Sequence, residues 1–157
     1  MKRRMEFVLN ELSRGKRTVL RFYPRSSHIY WRGDTAPTCI EDAECYECSY
    51  AIVRKDVFGK DRVLLRCEYD ELSVLYDVPQ AIRCVENEQC KLLKNPVGCC
   101  MWRVERCSDE DMYFFEIWNE LAQGFRFEVD KDRAMRLAEF IDGLQEYMLE
   151  RSEAAPE

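Results

Sequence analysis

The order of hydrophobic and polar residues along the chain predicts several β-strands. Apolar residues alternate with polar ones, or β-branched and aromatic residues cluster, in segments 18–23, 49–55, 62–67 and 101–106. Gly59 lies between the second and third segments and is typical of a hairpin turn. Strands that follow one another so closely along the chain indicate antiparallel pairing between neighbours.

Helical spacing of apolar residues occurs near both ends of the chain. A short N-terminal helix is predicted by apolar residues at i, i+3, i+4 and i+7, namely Met5, Val8, Leu9 and Leu12. A longer helix is predicted for 131–151, with Asp130 as its N-cap. Pro79 suits the first turn of a third, short helix that ends near Glu88.

These elements predict an α+β fold with a mainly antiparallel sheet, on which the short N-terminal helix and the longer C-terminal helix pack. Segments 111–118 and 125–129 add a further hairpin just before the last helix. We expect one domain over residues 1–150, followed by a disordered acidic tail at 151–157. The Arg-Cys pairs ending at Cys67, Cys84 and Cys107 are too unevenly spaced to predict a structural repeat.

Composition places the protein among soluble, cytoplasmic chains. The 157 residues are 46% hydrophobic, which is enough for a core without covalent cross-links. No apolar run reaches the roughly 18–20 residues that span a bilayer, so no membrane partner is expected. Residues 1–10 begin like a signal peptide, but Glu11, Arg14 and Lys16 follow and no small-residue cleavage site is present.

Nine cysteines and a single histidine leave several chemistries to weigh. Cys45 and Cys48 have the spacing of half a zinc site, but no second Cys-x-x-Cys completes it. Acidic neighbours of this pair disfavour a reactive thiolate, and a reducing cytoplasm disfavours disulfides. We therefore expect mostly buried, reduced thiols and no cofactor, with structural zinc at Cys45 and Cys48 as the alternative.

Catalytic motifs are weakly represented in this sequence. His28 is the one histidine, so every catalytic dyad or triad that needs an imidazole would depend on it. The chain carries no phosphate-binding glycine motif and no Glu-x-Lys tripeptide of the kind that metal-dependent nucleases use. We predict that the protein is not an enzyme, and a metal-dependent enzyme ranks third among the functions considered.

Charge is distributed unevenly between the start of the chain and the rest. Residues 1–32 carry nine Lys/Arg and two Glu (+7), and residues 33–157 carry fifteen Lys/Arg and twenty-eight Asp/Glu (−13). Strand alternation places Arg17, Arg21, Tyr23 and Arg25 on one face of a strand, and Tyr30 and Arg32 alternate with Ile29 and Trp31 close by. A basic and aromatic face of this kind can bind single-stranded nucleic acid. Its candidate residues are Arg17, Arg21, Tyr23, Arg25, Tyr30 and Arg32. The alternative is that this basic segment only pairs with the acidic remainder of the fold.

The leading interpretation is a non-catalytic, cytoplasmic protein-binding module. A dense acidic surface can occupy the basic groove of a nucleic-acid enzyme, so an inhibitor or regulator of nucleic-acid machinery is one form of this hypothesis. A protein partner is expected, although no motif identifies it. The second interpretation is a single-stranded nucleic-acid-binding domain that uses the basic and aromatic strand face within 17–32.

Overall fold

The computed structural model describes residues 5–24, 48–67, 74–94, 101–107, 111–119 and 121–154. Its strands are β1 (Met5–Glu11), β2 (Arg17–Pro24), β3 (Cys48–Lys55), β4 (Asp61–Cys67), β5 (Cys90–Lys94), β6 (Met101–Cys107), β7 (Met112–Trp118) and β8 (Gly124–Asp130). Its α-helices are α1 (Val74–Cys84) and α2 (Lys131–Ala154), and a 3₁₀ turn covers Ser13–Gly15.

The described strands form two antiparallel sheets, which confirms the predicted α+β class. Sheet A has the order β1-β2-β3-β4 and sheet B the order β5-β6-β7-β8, so within each sheet the strands pair in sequence order. The predicted hairpin around Gly59 is confirmed, because Val53 pairs with Val63 across β3 and β4. The hairpin of β7 and β8 is confirmed as well, with Phe115 opposite Phe127.

The described elements repeat one order twice along the chain. Sheet A is a four-stranded meander followed by α1, and sheet B is a four-stranded meander followed by α2. Helix α1 packs against α2 and against β5 and β6, whereas α2 also contacts β7, β8 and β1. The two halves therefore share one core, and the Arg-Cys pairs do not mark their repeated arrangement, because these pairs end β4, α1 and β6.

The main core lies between the two sheets and the helix pair. Tyr50 of sheet A and Trp102 of sheet B are buried at its centre, with ring centroids 5.9 Å apart. Trp102 Nε1 donates a hydrogen bond of 2.8 Å to the hydroxyl of Tyr50. This bond satisfies the indole N–H inside the core and joins the two sheets.

A second, smaller cluster lies on the opposite face of sheet A. Val19, Ala51 and Val53 are at most 1% exposed there, and Val8 and Tyr23 pack against them. Both faces of this part of sheet A are therefore buried.

The predicted N-terminal helix is wrong, because residues 5–11 form strand β1. Phe7 and Leu9 point into the main core, whereas Val8, between them, packs on the smaller cluster. A strand that buries both faces carries apolar residues in succession, and their spacing here coincides with that of a helix. A bulge between Val8 and Asn10 adds to the irregular pattern.

Helix α1 begins earlier than predicted, at Val74, so that Pro79 lies inside the helix rather than in its first turn. The helix forms because Val74, Leu75, Val78 and Ile82 bury one side of it in the main core. Strand β5 was not predicted, because five residues with two leucines carry too short a pattern to assign.

The C-terminal helix is confirmed together with its cap. The backbone N–H of Arg133 donates to Oδ1 of Asp130 at 2.8 Å. Ala134, Leu137 and Ile141 are fully buried on one side of α2. The helix extends to Ala154, into the segment 151–157 predicted as a disordered tail, because that segment begins with good helix formers.

Candidate functional site

Three of the six candidate residues from the basic segment are described by the structure. Arg17, Arg21 and Tyr23 lie on β2 and share a face, as strand alternation predicts. Arg17 is exposed and Tyr23 is partly exposed. The other three candidates, Arg25, Tyr30 and Arg32, lie outside the described residues.

Arg21 does not present its charge to solvent, because it is 5% exposed and binds two carboxylates. Its Nε donates to Glu6 Oε2 at 2.6 Å, and its NH2 group donates to Asp61 Oδ2 at 2.8 Å. Lys55 Nζ binds the other oxygen of Glu6 at 3.0 Å. The four side chains form an ionic network across all four strands of sheet A.

The network holds Glu6 and Arg21 in their charged forms. Burial alone would raise the pKa of Glu6, but hydrogen bonds from Lys55 and Arg21 outweigh it and place the pKa below its usual value. Burial alone would lower the pKa of Arg21, but hydrogen bonds with Tyr23, Asp61 and Glu6 raise it instead. In the described strands, the centre of the predicted nucleic-acid-binding face is therefore neutralised from within the protein.

The cysteines that the structure describes are less buried than expected. Cys67 is fully buried in the main core, whereas Cys84 and Cys90 are exposed and Cys107 is intermediate, and all four are free thiols. Expecting buried thiols is therefore correct for Cys67 and wrong for Cys84 and Cys90. Arg103 Nε donates to the sulfur of Cys90 at 3.0 Å, and this hydrogen bond raises the pKa of Arg103.

The proposed zinc pair is not tested by the described atoms. Cys45 lies outside the described residues, and only the backbone of Cys48 is described, at the start of β3. Over the described ranges, no three His, Cys, Asp or Glu side chains lie close enough to hold a metal ion.

A different surface stands out at the end of sheet A where two turns meet. The β1–β2 turn and the β3–β4 turn lie at the same end of sheet A, because Arg17 pairs with Glu11 of β1 and with Lys55 of β3. The turns touch, because a Cβ at Gly15 would clash with Cγ1 of Val57. Gly15 has φ of 71°, which glycine adopts without strain.

Apolar side chains at these turns face solvent. Phe58 is 87% exposed, Val57 62% and Leu12 38%. Five exposed cationic residues lie in the same two turns or at the adjoining strand ends, and we name the eight residues the tip patch: Leu12, Arg14, Lys16, Arg17, Val57, Phe58, Lys60 and Arg62.

The two turns that carry the tip patch are held by backbone hydrogen bonds. Leu12 N–H donates to the carbonyl of Lys16 at 2.7 Å, and Asp56 N–H donates to the carbonyl of Lys60 at 3.2 Å. Oδ1 of Asp56 accepts from the N–H groups of Phe58 and Lys60, both at 2.9 Å. The exposed ring of Phe58 is thus presented by a turn that is already ordered.

Positive charge at the tip patch contrasts with the acidity of the chain. Residues 11–17 and 56–62 carry five Lys/Arg against three Asp/Glu, a net of +2 in a chain of −6, which leaves −8 elsewhere. Asp61 is already bound by Arg21, and Asp56 by its own turn. In the described part of the chain, none of the five cations of the tip patch forms an ion pair.

Sequence reasoning identified Arg17 of the tip patch and missed the other seven residues. The one feature of the sequence that points to the tip patch is the pair Val57-Phe58 in a short hairpin turn, where polar residues are usual.

Within the described ranges, the structure contains no helix long and apolar enough to cross a membrane. Comparison of the chain with family models, with curated proteins and with solved structures finds no match in any of the three.

Proposed function

We propose that the chain is a non-catalytic protein-binding module that uses the tip patch to bind an acidic segment of a partner protein. The observation that carries this proposal is an 87% exposed Phe58 on an ordered turn, in a region whose five cations form no ion pairs in the described structure. An aromatic anchor with a charged rim is the usual composition of a protein-binding hot spot.

The ordered conformation of the two turns favours binding. A side chain on a turn held by its own hydrogen bonds loses little conformational freedom when a partner covers it. Opposite charge on the partner would speed encounter and make the affinity sensitive to salt. The partner segment should therefore combine Asp or Glu with apolar side chains that cover Phe58, Val57 and Leu12.

A protein fits this surface better than a single strand of nucleic acid does. Sequence-tolerant binding of single strands uses several aromatic rings on which successive bases stack. The tip patch offers one ring, Phe58, beside two aliphatic side chains. Arg21, at the centre of the predicted strand face, is buried against Glu6 and Asp61.

Regulation of nucleic-acid machinery through an acidic surface stays a prediction. Several exposed acidic side chains in the described residues are balanced locally, as Asp142 is by Arg83 and Asp132 by Arg136. A cytoplasmic location also stays a prediction, and the exposed free thiols of Cys84 and Cys90 fit a reducing compartment.

Four immobilised baits test the proposal against lysate from cells that make this protein. These are the wild type, Phe58→Asp, Lys60→Glu with Arg62→Glu, and Leu121→Asp as a matched control on another turn. We expect an acidic protein to be recovered by the wild type and by Leu121→Asp, to be lost from the other two, and to elute in high salt. Equal recovery by all four baits, or no salt-sensitive partner on the wild type, would overturn the proposal.

Fluorescence anisotropy with single-stranded oligonucleotides tests the nucleic-acid alternative on the same proteins. We expect no binding at low salt by the wild type. Binding that Lys60→Glu with Arg62→Glu abolishes would reassign the tip patch to nucleic acid and reject the protein partner.

A further inference from the structure

The outer face of sheet B is a second surface, independent of the tip patch. The side chains that sheet B gives to the main core all come from its other face, among them Trp102, Tyr113, Phe115 and Ile117. On the outer face, Phe114, Trp118, Met101 and Met112 are partly exposed, and Leu92 is 51% exposed. Aromatic residues, methionine and arginine are enriched in protein interfaces.

Charges on this face are arranged in two rows that run across the strands. Pairing in the sheet aligns Glu105, Phe114 and Glu128 in one row. The next row holds Arg103, Glu116 and Arg126. On β6 and again on β8, the acidic side chain thus lies one row away from the basic one. Within the chain, Arg103 contacts Glu105 at 3.4 Å and Arg126 contacts Glu116 at 3.1 Å.

Beyond the charged rows, each end of the face carries apolar side chains beside one exposed charged residue, Asp130 at one end and Lys94 at the other. Met112 lies beyond the acidic row, and Met101 and Trp118 lie beyond the basic row. Trp118 Nε1 donates to Oε1 of Glu116 at 2.6 Å, which fixes the indole against the sheet.

This arrangement is complementary to itself. A two-fold axis that lies parallel to the sheet and perpendicular to its strands keeps each strand opposite its own copy and reverses the order of the rows. Glu128 then faces Arg126 of the second copy, and Glu105 faces Arg103 of the second copy. Met112 meets Trp118 of the second copy, so unlike charges are matched on β6 and β8 and apolar groups at the ends, while Phe114 covers Glu116 of the second copy.

We propose that the outer face of sheet B binds a second copy of this chain to form a two-fold symmetric, face-to-face dimer. The face measures about 19 Å by 23 Å, from four strands about 4.8 Å apart and up to seven residues of about 3.3 Å. That area of about 440 Å² is below the roughly 800 Å² per partner of a stable complex. The dimer should therefore dissociate in the micromolar range. Since the tip patch lies on sheet A, each dimer would offer two tip patches.

Charge reversal on β8 tests this dimer, because Glu128 and Arg126 are both exposed and neither is part of the core. In Glu128→Arg, the new arginine of each copy faces Arg126 of the other copy. In Arg126→Glu, the new glutamate of each copy faces Glu128 of the other copy. Sedimentation velocity at low salt should show that each variant alone dissociates at least about tenfold more readily than the wild type. A mixture of the two variants places Arg opposite Glu at every position. It should form a heterodimer within about threefold of the wild-type affinity.

Two matched measurements complete the test. Lys60→Glu with Arg62→Glu, on the tip patch, should leave the dimer unchanged, which separates this inference from the proposed function. Circular dichroism should show that all variants remain folded. A wild type that stays monomeric at millimolar concentration, or a mixture that associates no better than its components, would overturn the proposal.

Discussion

Asp56 and Asn119 occupy the same position in two turns that have the same hydrogen bonds. Each residue precedes the turn between the third and fourth strands of its sheet, and each accepts two backbone N–H groups through Oδ1, at 2.9 to 3.0 Å. The backbone N–H of Asp56 also donates to the carbonyl of Lys60, four residues later, and the backbone N–H of Asn119 donates to the carbonyl of Gln123. The repeated order of elements therefore extends to the atoms of one turn.

The two residues differ in the side-chain amide of Asn119, which donates to Oε1 of Gln123 at 3.0 Å and also to the backbone of sheet A, and this difference predicts unequal responses to substitution. Nδ2 of Asn119 donates to the carbonyl of Arg66 at 3.0 Å, which links the turn of sheet B to sheet A. Asn119→Asp removes that donor at a 6% exposed site and sets a carboxylate against a carbonyl. We expect it to cost about 1–3 kcal/mol. Asp56→Asn keeps both accepted bonds and should cost less than about 0.5 kcal/mol. Urea unfolding measures both, and equal losses would contradict the assignment.

The fourth residue of each turn has a positive φ, and it is glycine in one turn and alanine in the other. Exchanging the two residue types should therefore have opposite effects on stability. Gly59 has φ of 78°, and its counterpart Ala122 has φ of 59°. A side chain in this region is strained, so Ala122→Gly should stabilise the fold by about 0.5–1 kcal/mol. Gly59→Ala should destabilise it by about 1 kcal/mol through strain alone, since no atom lies near an added Cβ.

Gly15→Ala provides the matched comparison for that pair. It combines the same backbone strain with a clash against Val57, and should therefore cost more than Gly59→Ala in the same unfolding experiment. A stabilising Gly15→Ala would show that the two turns of the tip patch are not in contact.

Helix α2 and the β7–β8 hairpin were predictable because each of these elements buries one side. Helix α2 buries Ala134, Leu137 and Ile141 against the core, and β7 buries every second residue, so each pattern has a single period. Strand β1 was not predictable because it buries both faces and carries a bulge. Burial on both faces removes the alternation that distinguishes a strand from a helix.

The candidate sites depended on contacts between residues far apart in sequence, which no local pattern contains. Alternation placed Arg21 on the correct face of β2, but its partners Glu6 and Asp61 come from β1 and β4. The tip patch arises where two separate turns meet, and turn side chains follow no period.

Tyr50 on β3 and Tyr113 on β7 are buried at matching places in the two sheets. We expect them to respond differently to loss of the hydroxyl. Tyr50 accepts from Trp102, so Tyr50→Phe leaves a buried indole N–H without its acceptor and should cost about 1–3 kcal/mol. The hydroxyl of Tyr113 is buried and has no hydrogen-bond partner among the described residues, and burial raises the pKa of Tyr113. Tyr113→Phe should be neutral or stabilising in urea unfolding. A loss for Tyr113→Phe as large as that for Tyr50→Phe would refute the distinction.

The ionic network on sheet A predicts a loss of stability in acid. Because Lys55 and Arg21 lower the pKa of folded Glu6 below its ordinary value of 4.5, folding favours the ionised carboxyl. The resulting stability is present above the unfolded-state pKa and is lost as pH falls through the folded-state pKa.

Glu6→Gln removes this titration, so its free energy of unfolding should fall less than that of the wild type between pH 7 and pH 3. Glu146→Gln is the matched control, because Glu146 is exposed on α2 and forms no ion pair in the described structure. This control should keep the wild-type pH dependence in urea unfolding.

Arg21→Met should destabilise the protein at pH 7, because Glu6 and Asp61 lose a shared partner. The loss in free energy of unfolding should shrink toward pH 3 as the carboxyls become neutral. A deficit that does not change with pH would assign Arg21 a packing role only.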